Sequence, residues 1–378
     1  MLITDKNLMC EYGDDRRVWQ GIPGIERTRG GRRFICFYSG MSGETFGNYA
    51  LVMKNDGDSG FGNTPIAVAY AGARARCFDP VLWIDPLGRL WFIWNVQPSG
   101  EVWASVCADP DAGELIWGEE FKIGYGVMMN KPTVLTTGEW LFPISVWDSK
   151  LHNAYRTEEL ERGIPTGAYV YKTSDNGATF VRMGGVAIKD RAFDEHMVLE
   201  LNSGVLATFV RTHYGIGVSY SSDRGETWSD GEDSGLGGPC SRFHIVRLPS
   251  GRVLLINHYK FNGRNNLTAL LSDDDGKTYP HTLLLDERKS VSYPDVTVDA
   301  EGYIHIIYDR ERGGKTLEKC YAAAREILTA CVTEEDIING RLISAKSYLA
   351  RVENKLGEIS PEVDLSKLFA DPLTGKNV

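Results

Sequence analysis

Apolar and polar residues alternate along this chain in short bursts, and six of the bursts share one layout. A polar lead residue, often followed by Pro, opens a run of alternating apolar positions; a turn with Gly and a second apolar run follow. The copies are WQGIPGIERTRGGRRFICFYSG from Trp19, FDPVLWIDPLGRLWFIW from Phe78, NKPTVLTTGEWLFPISVW from Asn130, DEHMVLELNSGVLATFVR from Asp194, SRFHIVRLPSGRVLLINHY from Ser241 and SYPDVTVDAEGYIHIIYD from Ser292. A side-chain period of two around a Gly turn predicts a β-hairpin in each. Measured from Pro23 through Pro80, Pro132, His196, Phe243 and Pro294, the spacings are 57, 52, 64, 47 and 51 residues. Periods of this size mark propellers or solenoids. Long helical patterns do not intervene, so the expected fold is all-β, a six-bladed β-propeller spanning 1–378 as one domain.

One late stretch breaks the pattern. VTEEDIINGRLISAKSYLARVENK, from Val332, reads as a helix. Thr333 would cap its first turn and Asp336 would return the bond, as in a capping box. This helix is expected to pack outside the blades and to open a helical extension over about 333–378.

A second repeat is sharper. Thr173-x-Asp175-x-Gly177-x-Thr179-Phe180, Ser221-x-Asp223-x-Gly225-x-Thr227-Trp228 and Ser272-x-Asp274-x-Gly276-x-Thr278-Tyr279 recur at spacings of 48 and 51 residues. The pattern fits a tight hairpin in which Asp accepts backbone N–H bonds, Gly takes a positive φ, and the aromatic ring plugs a gap between strands. Its role is structural.

Composition narrows the function classes. Hydrophobic residues make up 42% of the chain and Gly occurs 41 times, which suits a globular, turn-rich protein. The net charge of −10, without a Lys/Arg-rich run, argues against nucleic-acid or membrane partners, which require a concentrated basic patch. The N-terminal MLITDKNLMCEYGDD lacks the basic and apolar regions of an export signal, so a cytoplasmic location is expected. The seven cysteines form neither a CxxC nor a pairing pattern and read as reduced, mostly buried thiols. Neither a DxDxDG loop nor HExxH is present, and no catalytic metal or cofactor is expected.

Six blades and three such boxes resemble the sialidase/neuraminidase superfamily of BNR-repeat (Asp-box) proteins over roughly Trp19 to Ala330. In a propeller the residues just before each innermost strand converge on the channel mouth. Here those lead residues are Gln20, Asp79, Lys131, Glu195, Arg242 and Tyr293. The resemblance implies a Tyr nucleophile with a Glu partner, a carboxylic acid/base, and three arginines that clamp a substrate carboxylate. Tyr293 in SYPD matches the nucleophile and Glu195 in DEHMVLEL its partner. A carboxylate beside a phenol can take its proton and so activate it. Arg211 and Arg264 match the second and third clamp arginines, and guanidinium forks suit a carboxylate.

The chain departs from that pattern twice. The first clamp arginine of sialidases directly precedes an Ile-Pro in blade one, whereas Ile22-Pro23 here follows Gln20-Gly21. Arg242 or Lys131 is the expected substitute. The acid/base loop, SGMSGETFGN, offers Glu44 as its carboxylate; Asp79 is either the other candidate or, the favoured reading, a salt-bridge residue that holds Lys131 or an arginine in place. His213 either shares the pocket or is a solvent-facing or hydrogen-bonded structural histidine, while Asp295 and Arg310 would orient Tyr293. Arg74 and Arg76 read as solvated surface. The leading expectation is an exo-glycoside hydrolase that removes an anionic or sialic-like terminal sugar from oligosaccharides. The alternatives are a lyase acting on uronate-containing oligosaccharides, with His213 or Lys131 as base, and a sugar-binding propeller without turnover.

Overall fold

A computed structural model describes residues 1–57, 60–147 and 163–363. Its strands form six antiparallel sheets that follow one another in chain order, each of them one expected repeat. The innermost strands are Trp19–Arg27, Arg76–Ile84, the pair Val127–Met128 and Thr133–Val134, Arg191–Glu200, His244–Arg247 and Val291–Val298. Blade three's inner strand is split around Asn130-Lys131-Pro132, where proline has no N–H to give the ladder. In blade one a fifth strand, Leu2–Ile3, pairs with Ala67–Ala69 at the rim.

Apolar faces of adjacent blades bury each other. Phe92 and Trp94 of blade two meet Phe34 and Val52 of blade one, and Leu254 and Ile256 of blade five meet Ile304 and Ile306 of blade six. The ring closes where Ile25, Ile35 and Phe37 of blade one meet Ile307 and Ile327 of blade six. A buried polar seam reinforces this closure. Gln20 accepts from Arg17 and donates to the Arg325 carbonyl at 2.8 Å, while Asn354 donates to Asp14 at 2.8 Å.

The three boxes fold as the pattern requires. Asp175, Asp223 and Asp274 each accept from the Thr four residues on, through its backbone N–H at 2.8–2.9 Å and its hydroxyl at 2.5–2.6 Å. Their aromatic rings fill seams between blades rather than gaps between strands. Phe180 packs with blades two and three, Trp228 with three and four, and Tyr279 with four and five. Gly177, at φ +87°, abuts Trp91 of blade two so closely that a Cβ would stand 2.4 Å from its ring.

The C-terminal helix is a single short one, Glu334–Asn339, lying against the outer strands of blade five. Its capping box between Thr333 and Asp336 is present as expected. The length expected of it is corrected by Gly340, which takes the left-handed conformation at φ 63° and ends the helix. Asp336 then accepts from the N–H groups of Ile343 and Ser344, bending the chain back. Tyr348–Lys355 becomes the outer strand of blade six, pairing with Glu326–Val332, whose edge would otherwise stay open. The part of the expected extension from 364 onward lies outside the described residues.

Candidate functional site

Four inner strands break register at or directly beside their lead residues. The shifts fall between Gly21 and Gly24, Phe78 and Val81, Arg191 and His196, and Ser292 and Asp295. Within these bulges Ile22, Asp79, Asp194 and Tyr293 all have positive φ, between 44° and 59°. Non-glycine residues seldom hold such angles, and bulges of this kind re-aim side chains next to functional sites.

Tyr293 is buried, and its hydroxyl donates to Glu195 Oε1 at 2.8 Å. Arg211 Nη1 donates both to Glu195 Oε1 at 2.7 Å and to the Tyr293 hydroxyl oxygen at 3.0 Å. Phe193 backs the Arg211 guanidinium, 4.7 Å from its ring centroid. Glu195 Oε2 is buried without a hydrogen-bond partner among the described residues. Burial, with the Glu195 charge adding to it, pushes the Tyr293 phenol up to about 12. The phenol therefore carries its proton at neutral pH, with a carboxylate already in place to receive it.

Arg264 and Arg312 flank the same ring, their guanidinium carbons 5.4 and 4.1 Å from its centroid. The sequence reading missed Arg312. Its Nε pairs with Asp309 at 2.8 Å, Nη1 with Glu44 at 3.3 Å, and Nη2 donates to Ser292 at 3.1 Å. Its aliphatic stem fills the space beside Gly21, where a Cβ would come 2.3 Å from Arg312 Cδ. The blade-one position that lacks an arginine is thus the one over which a blade-six arginine lies. Asp309 fixes this arrangement by also accepting from the Ile22 N–H at 2.7 Å.

Asp79 is buried, and its Oδ1 has no hydrogen-bond partner among the described residues. Burial first, then the charges of Glu44 and Glu195, raise its carboxyl to about 7 against the opposing pull of Arg76 and Arg312. Glu44 is exposed on its loop. Arg76 is buried with its guanidinium 4.3 Å from the Phe78 centroid, correcting the expectation of solvated surface.

Several lead residues are consumed by the fold. Arg242, an expected substitute clamp, donates to the carbonyls of Met129, Pro23, Tyr293 and Pro294 at 2.8–3.1 Å, pinning three blades across the channel. Lys131, the other, pairs with Glu26 at 2.7 Å and Asp295 at 3.3 Å. Asp295 also accepts from the Ile25 N–H at 2.9 Å, so it holds blade one against blade six rather than the Tyr293 hydroxyl. Gln20 belongs to the closure seam. Arg310 pairs with Glu326 at 2.8 Å and Glu311 at 3.1 Å. The His213 side chain is exposed, and its backbone N–H bonds to Asp190. Among the described residues no His, Cys, Asp and Glu side chains are grouped to hold a metal ion.

Fold and site together define a six-bladed propeller of the sialidase-like kind. The chain belongs to the BNR repeat-like domain family, whose sequence model matches residues 34–306. Among solved structures it is similar to Hadza microbial sialidase Hz136, with 19% identity and a TM-score of 0.63 over 79% of this chain and 64% of that one. It thus spans less than two thirds of that sialidase. It is also similar to the NanB sialidase of Streptococcus pneumoniae (12% identity, TM-score 0.62, 86% and 70% covered) and to the leech intramolecular trans-sialidase (11%, 0.65, 87% and 70%). A Dyadobacter fermentans protein of unknown function shares the fold at 17% identity and TM-score 0.59, with 77% of this chain and 90% of that one covered. No curated protein sequence matches the chain.

Proposed function

We propose that the protein is a glycoside hydrolase that removes a terminal acidic sugar of the sialic type from a glycan. The observation that carries this reading is the bonded trio of Tyr293, Glu195 and Arg211. Arg211, Arg264 and Arg312 hold the sugar's carboxylate over the Tyr293 ring. Tyr293 attacks the anomeric carbon while its proton passes to Glu195, and the bond to the leaving oxygen breaks. Asp79, rather than the exposed and ion-paired Glu44, protonates that oxygen, because burial keeps its carboxyl neutral to about pH 7. Ionised Asp79 then takes a proton from the water that splits the glycosyl–tyrosine bond, and Glu195 returns its proton to the departing Tyr293 oxygen. Elimination would need His213 or Lys131 as base, and one is exposed while the other is ion-paired with Glu26 and Asp295.

The test is turnover of a panel of acidic and neutral oligosaccharides, read by reducing ends and by ultraviolet absorbance. Reducing ends from acidic substrates, lost in Tyr293→Phe, support the hydrolase. An unsaturated, absorbing product would replace it with a lyase, and binding without turnover with a sugar-binding module.

A further inference from the structure

Beside Arg312, whose guanidinium carbon lies 4.1 Å from the Tyr293 ring centroid, opens a cavity of about 740 Å³. Ser292 and Arg312 line it, and Arg264, Lys289, Lys315 and Lys319 are among its other walls. Glu44 and Glu311 also line it, and each already faces an arginine, Arg312 at 3.3 Å and Arg310 at 3.1 Å. Lys289, Lys315 and Lys319 are exposed and have no carboxylate partner among the described residues. Glycine shapes one wall: at Gly314 a Cβ would stand 2.6 Å from Lys319 Cβ, so its absence lets the lysine close against that wall. The cavity is positively charged in a chain whose net charge is −10. Fields of one sign focused in a concave site raise the local concentration of the opposite ion.

We propose that this cavity receives the leaving part of the substrate and binds a second oxyanion on it, the carboxylate of a further acidic sugar or a sulfate ester. The inference rests on the hydrolase reading for its orientation, with the first acidic sugar over Tyr293. The charge itself does not. A dianionic glycan would meet both the arginines beside Tyr293 and the lysines of the cavity, whereas a neutral leaving group would leave the lysines to solvent. Because the lysines are exposed, the attraction is salt-dependent and weakens as ionic strength rises.

The experiment compares substrates sharing one terminal acidic sugar but carrying a neutral, a uronate or a sulfated leaving disaccharide. The protein is wild type or the Lys289→Gln/Lys319→Gln double variant, both at low and high salt. The wild type should favour at least one anionic leaving group about tenfold in kcat/KM at low salt. That ratio should fall toward one in the variant and in high salt; the favoured arm identifies the oxyanion. A wild-type ratio of one or less, or a ratio that survives in the variant, overturns the proposal. Calorimetry of the sulfated disaccharide and its unsulfated parent separates this from failure of the hydrolase reading. Without turnover of any substrate, tighter binding of the sulfated sugar, or of a uronate disaccharide titrated alongside it, that disappears in the variant still supports the cavity, and equal binding of both anionic sugars and the neutral parent refutes it.

Discussion

Burial and the carboxylates of Glu44 and Glu195 raise the Asp79 carboxyl to about 7. Two consequences follow. Activity needs the protonated form, so kcat/KM should fall as pH rises through about 7, and Asp79→Asn should lose that limb along with roughly 10²–10⁴-fold in rate. Stability runs the same way with pH, because a carboxyl whose pKa rises on folding favours the folded state below its unfolded value, near 3.9, and loses that contribution as pH climbs to 7. Chemical denaturation at pH 8 should therefore find Asp79→Asn more stable than wild type, by on the order of 3 kcal/mol. Gly21 carries a second residue-scale expectation. Gly21→Ala places a methyl in the Arg312 stem, and Arg312→Ala removes a charged donor; each should raise KM for acidic substrates roughly tenfold or more. Moving the arginine back, as Gly21→Arg with Arg312→Ala, should recover much of the loss, whereas additive damage would contradict the exchange. The convergence of Tyr293 and Glu195 was legible because equivalent repeat positions meet at the channel mouth, while Arg211 was singled out only by the family resemblance; the structure bonds the three together. Arg312 was not legible. Glu311, at φ 48°, breaks the strand's alternation, so Arg310 turns to Glu326 while the next arginine reaches the site.

At the scale of elements, hairpins and boxes were legible because period-two alternation, Pro leads and Gly turns are local signals. The last strand was not. Tyr348–Lys355, YLARVENK, mixes charged and apolar residues at helical spacing, and only the open edge of Glu326–Val332 decides its conformation. Truncation after Asn339 should therefore expose that edge and yield self-association in size-exclusion chromatography, where a detachable helix would leave a monodisperse protein. Box aromatics act on packing alone. Trp228→Ala should cost about 2–4 kcal/mol of stability in denaturant titration, with KM unchanged, because its ring fills the seam between blades three and four.

Across the whole molecule, the ring of lead residues divides into two layers that the sequence could not separate. Tyr293, Glu195 and Asp79 lie with Arg211, Arg264 and Arg312 around one site. Arg242, Lys131, Asp295 and Gln20 spend their charge and hydrogen bonds holding blades together. Repeat spacing puts Gln20, Asp79, Lys131, Glu195, Arg242 and Tyr293 at the same blade position, and only three-dimensional pairing shows which of them serve the site and which the fold. The bulges join the two layers, since the backbone that pins blade six through Arg242 also turns Tyr293 into the mouth.

The central claim is that Tyr293 becomes bonded to sugar. The direct measurement is peptide mass spectrometry of Asp79→Asn quenched in acid during reaction with a glycosyl fluoride of an acidic sugar, whose fluoride leaves without a proton donor. The mechanism requires one glycosyl unit on the peptide carrying Tyr293, and none in Tyr293→Phe. Turnover of the fluoride with Tyr293 unmodified throughout, or with the sugar on another residue, would contradict it.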